Sequence, residues 1–212
     1  MPNHSPLIKI CANTSETDLN LAAEAGADYA GMIINFPPSP RHVPLKKARQ
    51  MKSRLPLVAV TVNLSLDKLL AIHNELNPYA MQLHGDESAE IIHGLVQRNI
   101  RVWKAVSGEK AQEVVEMALS AGAEAILVDA RARRHGQTVY GGTGVRSDWE
   151  FARFQVEAGH RVILAGGLDA ENVAEATRLV QPWMVDVVSG VEQSPGIKDP
   201  EKVRSFVRVA RW

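Results

Sequence analysis

The sequence predicts an α/β fold: a parallel eight-stranded (β/α)8 barrel formed by one domain over residues 1–212. Three observations predict it. First, three phrases resemble one another: AAEAGADYAGMII (22–34), ALSAGAEAILVDA (118–130) and VEAGHRVILAGGL (156–168). Each closes a helical pattern with Ala-Gly, the residue pair that suits a left-handed helix end. Each then enters an apolar run with the character of a strand covered on both faces. Second, the same alternation of strand and helix recurs along the chain, as a parallel sheet with crossover helices requires. Third, no G-x-G-x-x-G fingerprint follows the first strand, which sets aside the competing doubly wound open sheet.

The elements follow in order. A strand over 7–11 (LIKIC) leads to a helix over 15–25, where Ser15 and Asp18 match a capping box. The strand 28–34 leads to a helix over 44–54, with Pro44 suited to its first turn. Strands 57–62, 79–83 and 100–105 lead to helices 66–76, 87–98 and 109–121. Strands 124–129, 161–165 and 184–188 lead to helices 148–158, 170–180 and 199–210, the last opened by Pro200. Eight units in 212 residues sit near the lower size limit of the barrel, and no linker or low-complexity segment interrupts them.

Composition narrows the function. Lys+Arg and Asp+Glu each total 24, so the chain has no general attraction for nucleic acid or an anionic membrane; any anion must be bound locally. A single cysteine excludes an internal disulfide and fits a reducing cytoplasm. There is no run of about 18 apolar residues to span a bilayer, and the first residues, MPNHSPLIKIC, lack a signal-peptide pattern. No His/Cys cluster has metal-ligand spacing, so no metal site is expected.

In a barrel of this kind the chemistry lies at the C-terminal strand ends. That filter selects Cys11, Asn35, Arg41, Asn63, His84, Asp129, Gly166-Gly167 and Ser189-Gly190. A lone cysteine is often a small buried hydrophobe, but at this rim a thiol can serve as base or nucleophile. Asp129 ends the apolar run AILV, where it caps a helix, pairs with Arg131 or Arg133, or acts as a carboxylic acid. A thiol and a carboxyl together equip a proton-transfer isomerase. Arg41, in the proline-stiffened FPPSPRHV, is either solvated or a partner for a substrate carboxylate. His84 either bonds substrate or caps a turn. The glycine-bearing ends after strands 7 and 8, with YGGTG (140–144) in the long preceding loop, point to a phosphate bound by backbone N–H groups. A small phosphorylated molecule is therefore the expected partner. The run Arg131, Arg133, Arg134 is most simply a solvated segment, with a lid as its functional reading.

The strings KIC, AGAD, SPR, QLHG, VDA, GGTG, DW, AGGL and SGVE–PG–KD stand in the order found in the phosphoribosylanthranilate isomerase family, from Lys9 to about Asp199. The resemblance implies a cofactor-independent (β/α)8 barrel of tryptophan biosynthesis, a monomer or homodimer. Its reaction would be the Amadori rearrangement of N-(5-phosphoribosyl)anthranilate to 1-(2-carboxyphenylamino)-1-deoxyribulose 5-phosphate. It makes Cys11 the general base, Asp129 the general acid and Arg41 the partner of the anthranilate carboxylate, with His84 and Asp186 near the substrate. Gly142, Thr143, Gly144, Gly166, Gly167, Ser189 and Gly190 would hold the phosphate. The chain departs from the family pattern at Ala12, Met32, Thr61, Ser147 and Val188, where glycine, phenylalanine, phenylalanine, phenylalanine and serine are usual, and it carries one extra residue around Asn35. These changes leave two alternatives: a diverged barrel acting on another phosphorylated aminosugar, or a non-catalytic barrel that binds a phosphate ligand.

Overall fold

In the computed structural model, which describes residues 5–130, 132–134, 137–139 and 148–211, eight strands pair in parallel around a closed ring. They are β1 (Leu7–Ile10), β2 (Tyr29–Ile34), β3 (Leu57–Thr61), β4 (Ala80–Leu83), β5 (Val102–Val106), β6 (Ala125–Val128), β7 (Val162–Leu164) and β8 (Met184–Val187). Each pairs with its sequence neighbour, and β1 closes the ring by pairing with both β8 and β2. An open sheet is thereby excluded. The two-residue strand His42–Val43 adds to the edge of β2, and Glu192–Ser194 forms a small hairpin with Ile197–Lys198 beyond β8.

The helices are α1 (Glu16–Ala25), α2 (Leu45–Ala48), α3 (Leu66–Leu76), α4 (Ala89–Val96), α5 (Ala111–Ser120), α6 (Trp149–Glu157), α7 (Val173–Val180) and α8 (Pro200–Ala210). The expected capping box is present: Asp18 N donates to Ser15 Oγ while the Asp18 carboxylate accepts from Ser15 N. All three Ala-Gly helix ends turn left-handed, with φ of 89° at Gly26, 97° at Gly122 and 85° at Gly159. One helix corrects the sequence reading. The pattern over 44–54 yields only the four residues of α2, with Pro44 as its N-cap. The next backbone donors leave the α-helical ladder: Gln50 N and Met51 N reach back only three residues, Lys52 N donates to Glu16 Oε1, and Leu55 N donates to Ser53 Oγ.

Strand alternation divides the interior into two layers. Ile8 and Ile10 of β1 pack outward with Ala22, Val203 and Phe206 under the helices. Leu7 and Tyr29 belong to the inner cluster with Val58, Trp103, Leu127 and Met184. The N-terminal end of the barrel is plugged by aromatic rings in edge-to-face contact. Trp103 lies 5.6 Å from Tyr29 and 5.7 Å from Trp183, and Tyr79 lies 5.0 Å from Tyr29. Arg101 covers Tyr79 at 4.3 Å. No described helix is long and apolar enough to cross a membrane.

Candidate active site

The opposite end of the barrel stays open. Its pocket is lined from strand ends far apart in sequence: Cys11 after β1, Arg41 after β2, His84 after β4, Asp129 after β6, Gly166 and Gly167 after β7, and Asp186 and Ser189 at β8. The filter on strand ends therefore collects one constellation. Alternation explains the choice of side chains. Lys9 and Cys11 share the inward face of β1 with Leu7, as Gln82 and His84 do with Ala80 on β4.

Cys11 is buried, 3 % exposed, at the pocket wall. Burial pushes its thiol above the ordinary range and the nearby Asp186 carboxylate adds to the rise, while Lys9 and Lys198 oppose both. Lys9 is wholly buried, with its ammonium 2.8 Å from Asp186 Oδ1. The backbone of β2 closes on this group at Gly31, where a Cβ would stand 2.6 Å from the sulfur. Only glycine leaves room there.

Asp129 sits under a matching constraint. A Cβ on Gly166 would come within 2.9 Å of Asp129 Oδ1 and 2.6 Å of Ala130 N, and Gly166 itself has φ of 79°. Part of the glycine signal after β7 is thus close packing against the carboxylate rather than anion chemistry. Asp129 Oδ1 accepts from Ala130 N at 2.8 Å, and Oδ2 faces His84 Nε2 at 3.1 Å. The other ring nitrogen, His84 Nδ1, faces Gln82 Nε2 at 3.0 Å. With the Gln82 amide donating there, His84 carries its proton on Nε2 and donates it to Asp129. His84 neither caps a turn nor stands alone. It orients the carboxylate.

Arg41 is held before any ligand arrives. Its Nε donates to Glu192 Oε1 at 2.9 Å and its Nη2 to Oε2 at 2.7 Å, across 151 residues of sequence. Glu192 is further tied to Lys198 at 3.5 Å and accepts from Gly196 N. A guanidinium clamped on one edge presents its other edge to the pocket. Ile33, Phe36, Val60 and Val62 line an apolar wall of the same pocket. Ser189 opens a short 3-10 turn that ends at Val191, and Gly190 packs directly beneath the Leu168 carbonyl, joining the loops after β7 and β8. The segment with Gly142, Thr143, Gly144 and Ser147, like Arg131, lies outside the described residues, as do the side chains of Arg133 and Arg134.

The departures sort by position. Met32 is fully buried on the helix-facing side of β2, and Thr61 alternates with the pocket-lining Val60 and Val62, so neither lines the pocket. Val188 does line it. Ala12 takes φ of 59°, the left-handed form that glycine adopts without cost. Asn35 and Asn63 also turn left-handed at their strand ends, with φ of 52° and 51°, and their side chains accept from Leu45 N and Asp86 N. They are turn residues, not ligand groups.

Sequence reasoning missed Lys9, Gln82, Glu192, Lys198 and Phe36. For Lys9 and Gln82 a signal existed, since each stands two residues before a selected residue on a strand. A polar residue there faces the barrel interior.

The family model for "N-(5'phosphoribosyl)anthranilate (PRA) isomerase" matches residues 8–209. An N-(5'-phosphoribosyl)anthranilate isomerase of Trichlorobacter lovleyi is 38% identical over 208 residues, covering 96% of this chain and 97% of the relative. One from Bradyrhizobium sp. (strain ORS 278) is 40% identical over 213 residues, covering 98% and 96%. Among solved structures, phosphoribosyl anthranilate isomerase of Thermotoga maritima superposes with a TM-score of 0.81 at 32% identity, covering 97% of this chain and 98% of that one. A phosphoribosyl anthranilate isomerase in complex with reduced 1-(o-carboxyphenylamino)-1-deoxyribulose 5-phosphate superposes with a TM-score of 0.77 at 30% identity, with the same coverage.

Proposed function

The chain belongs to the phosphoribosylanthranilate isomerase family, and from that premise we propose how its pocket carries the reaction. The protein is an aldose–ketose isomerase of tryptophan biosynthesis, which rearranges N-(5-phosphoribosyl)anthranilate to 1-(2-carboxyphenylamino)-1-deoxyribulose 5-phosphate. The observation that carries the assignment of roles is that Cys11, Asp129 and Arg41, from three separate strand ends, line one pocket.

In this reading Asp129 gives a proton to the furanose ring oxygen. The C1′–O bond breaks and its electron pair leaves with oxygen, opening the ring to a protonated Schiff base. Cys11, as thiolate, then removes the C2′ proton, which the iminium has made acidic, and an enolamine forms. Ketonisation adds a proton at C1′ and removes one from the C2′ hydroxyl, so the net proton count is zero and no redox partner is required. Each positioned proton transfer contributes about 10²–10⁴-fold. Arg41 receives the anthranilate carboxylate on the edge that Glu192 leaves open. The ring rests on the wall of Ile33 and Phe36, while the loops at Gly167 and Ser189 take the phosphate. Gly142, Thr143 and Gly144 are proposed to complete that cradle.

Two of the departures, Met32 and Thr61, lie outside the pocket and give no support to a diverged substrate, while Val188 lines it. Asp129 and Cys11 speak against a purely binding barrel, which needs neither acid nor base. The match over residues 8–209 supports one domain, and the biosynthetic family with its single cysteine supports a cytoplasmic location. Purified protein mixed with freshly generated phosphoribosylanthranilate is expected to extinguish the anthranilate fluorescence of the substrate. Persistence of that signal at micromolar enzyme overturns the reading.

A further inference from the structure

A thiol as buried as Cys11 is by itself a poor source of thiolate. The answer lies two residues back on the same strand face. Lys9 has no solvent exposure, an unusual place for an ammonium. Its Nζ stands 2.8 Å from Asp186 Oδ1 on β8, whose side chain is 4% exposed. β2 presses the lysine chain and the sulfur together, because the position a Cβ would take on Gly31 lies 3.0 Å from Lys9 Cε and 2.6 Å from Cys11 Sγ. The ammonium is thus confined between two acids of the pocket, a carboxylate and a thiol.

We propose that Lys9 is a positioning residue for the base: by neutralising Asp186, it allows a second anion to form on Cys11 within the same buried cluster. The inference rests on the assignment of Cys11 as base. The other charged group that acts on the sulfur is Lys198, from the hairpin after β8, and it is already paired with Glu192 at 3.5 Å. Gly31 brings no charge. That leaves Lys9 as the cation that answers Asp186. The directions of the thiol's response agree, since Asp186 raises it and Lys9 lowers it. Burying a charged pair can cost more in desolvation than the pairing returns, so stability alone is a weak reason for this one.

The single cysteine makes the test direct, because thiolate absorbance in the ultraviolet, read against Cys11→Ser as a blank, reports one group. In the full chain, Lys9→Met is expected to raise the thiolate midpoint by about one pH unit or more, a tenfold loss of thiolate at fixed pH. The rising limb of kcat against pH should move with it. A purely structural lysine would lower the melting temperature and leave the midpoint in place, and a midpoint within about 0.3 unit of wild type overturns the proposal. If Lys9→Met fails to fold, Asp186→Asn is compared with Lys9→Met/Asp186→Asn, neither of which leaves a buried carboxylate unpaired. The double variant should titrate about one unit higher; equal midpoints overturn the proposal. These titrations do not depend on turnover. Full activity in Cys11→Ser would overturn the base assignment itself, whatever the midpoints show.

Discussion

The two ends of this barrel are built from the same strands and share almost no chemistry. At the N-terminal end the inward side chains are Tyr29, Trp103 and Met184, with Tyr79 and Trp183 closing the plug. At the C-terminal end the same inward rows finish in Cys11, His84, Asp129 and Asp186. A single strand makes the change within a few residues: Leu7, Lys9, Cys11 on β1, and Ala80, Gln82, His84 on β4. Apolar area removed from water at one end supplies stability that the buried charges at the other do not. Substitutions at the two ends should therefore separate activity from stability.

The largest separation is expected at Asp129. Asp129→Asn should lower kcat by at least about 10³-fold with an unchanged melting temperature; retention of a tenth of wild-type kcat would remove its role as acid. At the other end, Trp103→Ala should cost about 3–5 kcal/mol in denaturant unfolding, while kcat/KM per folded molecule stays at the wild-type value. A matching loss of kcat/KM would mean that the ends are coupled.

Cys11→Ala should reduce kcat by about 10²-fold or more, and a loss under tenfold would return the thiol to a packing role. It also carries a stability signature. Burial raises the folded thiol above its unfolded value, so the unfolded chain loses that proton first. The stability of the wild type relative to Cys11→Ala is complete below about pH 8.5, the unfolded thiol value, and declines as pH rises above it. Urea midpoints at two pH values check this.

Arg41→Ala should raise KM by about 10–100-fold with a smaller effect on kcat, since it removes binding made to the ground state as well. Glu192 keeps Lys198 and Gly196 as partners, so the fold should persist. The smallest effect belongs to Ala12. Ala12→Gly should stabilise the protein by up to about 1 kcal/mol through relief of the left-handed backbone, offset by the entropy of glycine in the unfolded chain. Destabilisation would mean that the alanine methyl, fully buried, contributes more packing than its backbone costs.

The barrel was legible because its repeats announce themselves locally. Gly26, Gly122 and Gly159 each mark the end of a helix and the approach of a strand. The apolar pattern over 44–54 outruns α2 because Gln50 N and Met51 N already bond only three residues back and Lys52 N donates to Glu16 of another helix, a contact local periodicity does not show. Cys11 and Asp129 stood out as reactive groups at the ends of apolar runs. Glu192 and Lys198 did not, since their meaning lies in pairing with Arg41 and with each other.

By itself the sequence determined the element order, the parallel ring and the rim on which the reactive groups fall. All of these follow from hydrophobic periodicity and turn chemistry, which act over a few residues. Tertiary structure alone decided which charges meet: Lys9 with Asp186, Arg41 with Glu192, His84 with Asp129. Those pairs are 45 to 177 positions apart in the chain (Asp129 less His84; Asp186 less Lys9). Electrostatic energy depends on distance and desolvation in space, and barrel closure sets both.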